Sequence, residues 1–148
     1  QAMDLLGRKV RMLEGKGLQL LGEQMAETIA RASTHNRLSR HATALQASWV
    51  AIVDTTQAIW SFEADVDANA ALANAVPYMQ AFGHVVLAWT WLDVATCVQA
   101  RADGSAPSEG RMRACDFFFH YELPKIGAWL AVARTRDATA TDMPIEAF

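Results

Sequence analysis

Between residues 37 and 62 apolar positions recur in steps of four and three: Leu38, Ala42, Leu45, Trp49, Ile52, Thr56 and Ile59. That spacing holds one side of an α-helix against a neighbour, as in the seam of an antiparallel bundle or short coiled coil. A weaker stripe passes through Leu6, Val10 and Leu13, and then Leu21, Met25 and Ile29. Gly15 and Gly17 interrupt it, so the pattern predicts a short helix to about Met12 or Leu13, a turn or kink, and a second helix to about Ala32. The polar run Ser33, Thr34, His35, Asn36 then breaks the pattern and offers capping side chains for the next helix.

The stretch from Asn74 to Cys97 is of another kind. Val85, Val86, Leu87, Trp89, Trp91 and Leu92 point in nearly every direction around a helix and leave no consistently polar side. A helix apolar all round is usually buried, so this one is expected at the centre with the others wrapped around it. A membrane span would need about 20 consecutive apolar residues, and His84 and Asp93 cut the charge-free run well short of that. Pro77 is expected to kink the helix near Val76. Asp65, Asp67 and Asn69 stand ready to end the preceding helix and cap this one.

Beyond it, Asp103, Gly104 and Pro107 mark a loop over residues 100–110. A further helix is expected from about Ser108 to Tyr121, carrying Ala114, Cys115, Phe118 and Phe119. Pro124 suits the first position of the last helix, which carries Ile126, Trp129, Leu130 and Val132 and ends near Arg134. Residues 135–148 read as an irregular tail, docked through Pro144, Ile145 and Phe148 or frayed. The expected fold is therefore all-α: an up-and-down bundle of about five to six helices with a central helix kinked at Pro77.

Composition narrows this further. The chain has 148 residues, enough for one domain that buries roughly 70% of its unfolded surface. Alanine fills 28 positions while Gly and Pro are few, which is helix composition. The net charge of -3, with both signs interspersed, leaves no basic footprint for nucleic acid and no polybasic patch for a membrane. Cys97 and Cys115 lack CxxC spacing and are expected to pack as small buried hydrophobes in a reducing, cytoplasmic setting. The opening QAMDLLGRKVRM has no leader pattern and begins in mid-stripe, as a piece of a longer chain would.

Candidate chemistry is sparse. His35, His41, His84 and His120 belong to no metal motif, and there is no Glu-x-x-His of the kind a di-iron bundle needs. Asp116 and His120 stand at i, i+4 and are expected to share a surface hydrogen bond; His84 reads as a satisfied core histidine. Gly15-x-Gly17 lacks the third glycine and the strand–loop–helix setting of a dinucleotide fingerprint. No catalytic, cofactor-binding or metal residue is assigned from these patterns.

Two ends of the sequence carry a resemblance. Gln1-Ala2-Met3-Asp4-Leu5-Leu6-Gly7-Arg8-Lys9 is similar to the segment that follows the motif Tyr-Glu-Gly-Thr-x-x-Ile in flavin-dependent acyl-CoA dehydrogenases. Asn74-Ala75-Val76-Pro77-Tyr78 with Phe82-Gly83 and Trp89, then Phe117-Phe118-Phe119 with Glu122-Leu123-Pro124, resemble the extra C-terminal helical domain of the larger members, such as the methylmercaptopropionyl-CoA dehydrogenases. The resemblance spans essentially the whole chain and rests on apolar and glycine positions.

It implies a parent that removes the α-proton and β-hydride of an acyl-CoA thioester, with the glutamate of Tyr-Glu-Gly-Thr as base and FAD as hydride acceptor. The thioester carbonyl is polarised in such enzymes by hydrogen bonds, an oxyanion-type stabilisation. Residues 1–33 would then end the catalytic domain, 34–134 form the C-terminal bundle, and 135–148 the tail. The base would precede Gln1, leaving the chain inactive alone and without a flavin of its own. A homodimer is implied, with this domain covering the catalytic domain or a subunit contact. Trp49, Trp60, Trp89, Trp91 and Trp129 could serve that contact or simply fill the bundle. A stand-alone interaction module, or a bundle holding a small apolar ligand beside Pro77, are the alternatives.

Overall fold

The computed structural model describes residues 1–60, 68–101, 103–139 and 141–147, and within them the regular structure is helical throughout. Five long helices form the body: α2 (Met12–Ser33), α3 (Ser39–Trp60), α5 (Ala75–Arg101), α6 (Ala106–Phe117) and α7 (Ile126–Thr135). Two short ones, α1 (Ala2–Gly7) and α4 (Ala68–Leu72), complete the set. A π-helical turn, Phe118–Glu122, and a 3₁₀ turn, Leu123–Lys125, join α6 to α7. The all-α bundle expected from the apolar pattern is the fold observed.

The seam of α3 is fully realised. Leu38, Ala42, Leu45, Trp49, Ile52, Thr56 and Ile59 are all buried, and they face α2, α5 and α7. Trp49 lies so close to α2 that a Cβ on Gly22 would stand 2.7 Å from its indole nitrogen. A glycine is needed there to let an aromatic side chain reach the backbone of the facing helix. Trp89 ties α5 to the same helix by donating its indole N–H to Thr28 Oγ1 at 2.9 Å. Trp60 donates to the carbonyl of Leu6 at 3.2 Å and lies under the Arg11 guanidinium, fastening the N-terminal segment to α3. All five tryptophans pack against the core, Trp49 buried and the other four half-buried.

The N-terminal stripe is only partly kept. Leu6, Val10 and Met25 are buried, but Leu13 is 82% exposed. Leu13, Glu14 and Gly15 have φ of 50°, 56° and 83°, three consecutive left-handed residues that reverse the chain before α2 winds properly. The break falls where the glycines predicted it, and the reversal swings Leu13 out of the stripe. Two non-glycine residues in this region cost about 1 kcal/mol or more each. Ser33 and Thr34 also depart from expectation: their hydroxyls donate back to the carbonyls of Ile29 and Arg31. They close α2, whose last carbonyls lack helical partners, rather than cap α3.

α5 packs against α1, α2, α3, α6 and α7 and is central in that sense. It is not buried all round. Ala75, Tyr78, Ala81, Val85, Ala88, Leu92 and Ala95 form the buried stripe, while Val76, Leu87 and Cys97 are exposed on the other side. Cys97 was expected inside with Cys115; only Cys115 is buried, because position 97 lies outside that stripe. By length and composition α5 would suffice to cross a membrane. Its Asp93 is paired at 2.6 Å with Arg31 of α2 and its inner stripe is packed against protein.

The interruption expected at Pro77 lies just before it. α4 ends at Leu72 and α5 starts at Ala75, so Pro77 occupies the first turn, where a missing N–H forfeits no helical bond. The adjacent Tyr78 is fully buried. Asn69 belongs to α4, whereas Asp65, Asp67, Phe62 and Phe148 lie outside the described residues. In the tail, Ile145 is 81% exposed, and Asn74 donates to the Asp137 carbonyl at 2.8 Å.

Two outcomes follow for stability. Gly22→Ala must displace the Trp49 indole, so despite alanine's better helix propensity it is expected to destabilise by about 1–2 kcal/mol, read as a lower urea midpoint; an unchanged or raised midpoint would show that Trp49 moves freely. Tyr78 lies against Thr56 at 2.5 Å, and since the Thr56 hydroxyl donates to Ile52, the phenol donates to Thr56. Burial pushes the Tyr78 phenol up to about 12. The folded state thus holds this proton more tightly than the unfolded chain, and its contribution is intact below about pH 10 and lost as pH rises towards 12. The loss approaches roughly 3 kcal/mol, two pK steps of about 1.4. Tyr78→Phe should flatten that alkaline limb in denaturation curves while costing about 1 kcal/mol at neutral pH; the buried Cys115 thiol, also pushed up to about 12, leaves a residual slope.

Candidate functional site

A gathering of polar and aromatic side chains lies where the start of α3 meets the end of α6. Arg37 precedes α3, Arg40 and His41 belong to its first turn, and Glu109, Arg113, Asp116 and Phe117 come from α6. The π-turn then adds Phe118, Phe119, His120 and Tyr121. α6 is started by Ser105, whose side chain accepts from the Ser108 N–H, with Pro107 in the first turn. The wider π-turn alters the angular positions that follow it, and such turns recur at functional sites.

A chain of charge-assisted bonds holds the two helices together. Arg37 donates through Nη1 to Glu109 at 3.1 Å and through Nη2 to Asp116 at 3.2 Å. His41 Nε2–H donates to the other Asp116 oxygen at 2.8 Å, and its ring stacks on Phe119 with centroids 4.5 Å apart. Arg113 donates to Glu109 at 3.0 Å. Partial burial pushes the Asp116 carboxyl up, but the bonds from His41 and Arg37 outweigh this and hold it below the usual carboxylate range. Glu109 is lowered by its bonds to Arg37 and Arg113, and the Arg37 guanidinium is raised by Glu109 and Asp116.

Asp116 therefore spends its oxygens on His41 of α3 and on Arg37 just ahead of that helix, not on His120. The i, i+4 pair expected from the sequence does not form, since the π-turn begins between the two residues and His41 is the nearer partner. Both do line one groove, of about 430 Å³, with Arg40, His41, Arg113, Phe117 and Tyr121. The roles of Arg37, Arg40 and His41 escaped sequence reasoning because they depend on contacts more than 70 positions away, as from residue 41 to residue 116. The local signal available was the pair Phe117 and Tyr121, one helical turn apart and both exposed.

The remaining histidines have other places. His84 Nδ1 bonds the Gln80 carbonyl at 3.0 Å, Nε2 stands 3.6 Å from Glu122, and the ring packs edge-on against Trp129. It is satisfied as expected but half-buried rather than in the core, joining α5 to the π-turn and α7. Glu122 is held below its ordinary range chiefly by the Lys125 ammonium. His35 lies in the turn between α2 and α3, where its carbonyl accepts from Leu38 and Ser39. Among the described residues no three His, Cys, Asp or Glu side chains come together as a metal site would require.

The groove is equipped for recognition. It presents guanidinium and imidazole donors beside exposed rings, without a nucleophile paired to a base. Asp116→Asn would weaken the bonds from His41 and Arg37, and because the carboxylate is partly solvated the cost is about 0.5–1 kcal/mol. The sign follows from its lowered pKa: the contribution is present above about pH 4 and is lost as pH falls through the folded value. Acid denaturation of the variant should therefore converge with that of the parent below pH 4, and a constant gap between the two curves would contradict the ion-pair assignment.

No curated protein and no solved structure matches the chain. Residues 21–144 match the family described as acetyl-CoA dehydrogenase C-terminal like, which takes in the end of the N-terminal stripe, the seam of α3, all of α5 and the whole candidate groove. With most of its length inside that match and an all-α bundle as its fold, the chain belongs to this family and is a C-terminal acyl-CoA dehydrogenase-like domain.

Proposed function

We propose that this chain is the C-terminal helical domain of an FAD-dependent acyl-CoA dehydrogenase, of the methylmercaptopropionyl-CoA dehydrogenase kind, and that its own role is structural. The observation that carries the reading is the family match over residues 21–144. In this reading residues 1–33 end the catalytic domain, 34–134 form the bundle, and 135–148 the tail. The parent oxidises the α,β-bond of an acyl-CoA thioester in the cytoplasm, within fatty-acid metabolism, and works as a homodimer.

FAD would supply the hydride acceptor when bound to the parent. The residues described do not fit that group: Tyr78 beside Pro77 is packed in the core, and the grooves lined by Trp60 and by Tyr121 are open surface features rather than enclosed slots for a flavin ring. No step of the oxidation is therefore assigned to this chain. What it offers is a packed body whose outward positions on α5 include Val76 at 56% and Leu87 at 49% exposure. Exposed apolar side chains on the helix that joins most of the bundle suit contact with the catalytic domain or the dimer mate.

The test joins sequence and activity. Codons upstream of Gln1 should encode Tyr-Glu-Gly-Thr-x-x-Ile, and the isolated chain should neither retain flavin nor reduce a dye with acyl-CoA, whereas the complete parent does both. An unrelated upstream segment, or turnover by the 148-residue chain alone, would remove this reading and favour an independent binding module.

A further inference from the structure

We propose that the groove between α3 and the π-turn is a binding site for a nucleoside phosphate, its phosphate held by Arg40 and Arg113 and its base laid against the Phe117–Tyr121 pair. Arg40 makes no hydrogen bond or ion pair among the described residues, although it lines a groove with Asp116. The carboxylate is already occupied on one oxygen by His41 and on the other by Arg37. Arg113 engages Glu109 through Nε alone, which leaves the outer nitrogens of its fork for another acceptor. Two guanidinium groups from different helices, facing one groove, match the several oxygens of a phosphate better than a single carboxylate.

The apolar half of the groove points to a flat partner. Phe117 and Tyr121 stack with centroids 4.9 Å apart and planes 24° from parallel, yet remain 54% and 62% exposed. Each ring thus has a face turned away from the other. His120 meets Tyr121 edge-on at 5.4 Å, and its ring nitrogens carry no hydrogen bond among the described residues. Stacked surface rings beside cations are the arrangement that binds bases without regard to sequence. The groove's volume of about 430 Å³ falls within the usual span of small-molecule sites. Inorganic phosphate alone would leave the rings unused, and a neutral aromatic would leave Arg40 unused.

The site is independent of the reaction proposed for the parent: ADP binding and thioester oxidation can each be present without the other, so the two readings fail separately. The probe is ADP, titrated into the protein at low salt by calorimetry, with adenosine and inorganic phosphate in parallel. ADP should saturate with a dissociation constant below about 1 mM, and each half-ligand should bind at least about tenfold more weakly, since charge and stacking act together. Arg40→Gln should weaken ADP about tenfold and raised salt should do the same, whereas Tyr121→Leu should cost about threefold to tenfold. Arg111→Gln, a surface change outside the groove, should leave the affinity unaltered. Absence of saturation at millimolar ADP, equal affinity for phosphate and ADP, or an Arg40→Gln variant that binds normally would each overturn the proposal. Both groove positions are exposed, and should Arg40→Gln lower the melting temperature, Tyr121→Leu carries the test alone.

Discussion

The packing of α5 rests on the size of the residues along its inner stripe. Ala81, Ala88 and Ala95 lie seven positions apart, and Tyr78, Val85 and Leu92 alternate with them at the same interval. Alanine takes almost no space between helix axes, so neighbours come close enough for the larger residues to fill the gaps. α1, α2, α3, α6 and α7 all pack against α5. A larger residue at one of the alanines would push apart several helix pairs at once, because a packed interior has little room to yield. The same economy appears at Gly22, where the missing side chain admits Trp49.

Polar contacts have a different task. Arg31 to Asp93, Arg37 to Glu109 and Asp116, and His41 to Asp116 all join helices far apart in sequence, and all have at least one partner partly in water. Such pairs add little stability singly. Their value lies in fixing which helix faces which, since an apolar stripe tolerates sliding and rotation while a charged fork does not. The buried Tyr78 to Thr56 bond works in the same way inside the core, where an unmatched hydroxyl would cost more than the bond itself returns.

These two kinds of interaction explain which parts of the molecule could be read from the chain. The seam of α3 was legible at every position because its apolar residues recur in unbroken steps of four and three, and periodicity then carries the whole answer. α5 was legible as a helix but not in its orientation: its outward positions include Val76 and Leu87, so hydrophobicity alone could not tell inside from outside, and Cys97 was misplaced for the same reason. Leu13 kept the helical spacing yet left the stripe, because spacing counts residues and is blind to a left-handed reversal. Pro77 was seen as a breaker when its place in the first turn makes it a starter; the difference is a boundary shift of a few residues.

The candidate groove was almost invisible in sequence for a stronger reason. Its helices are separated by more than forty residues of chain, and the pair that looked local, Asp116 with His120, is split by the start of the very turn that shapes the groove. In a bundle whose stability resides in apolar seams, the rim can change its chemistry at small cost, since exposed residues there carry little of the packing. Catalytic demands would leave a tighter trace, for a nucleophile or base needs a buried, oriented partner. A recognition surface needs only donors and rings at the right spacing, and those arise where two helix ends meet. The fold therefore constrains the core of this domain closely while leaving the junction of α3 and α6 open to specialisation.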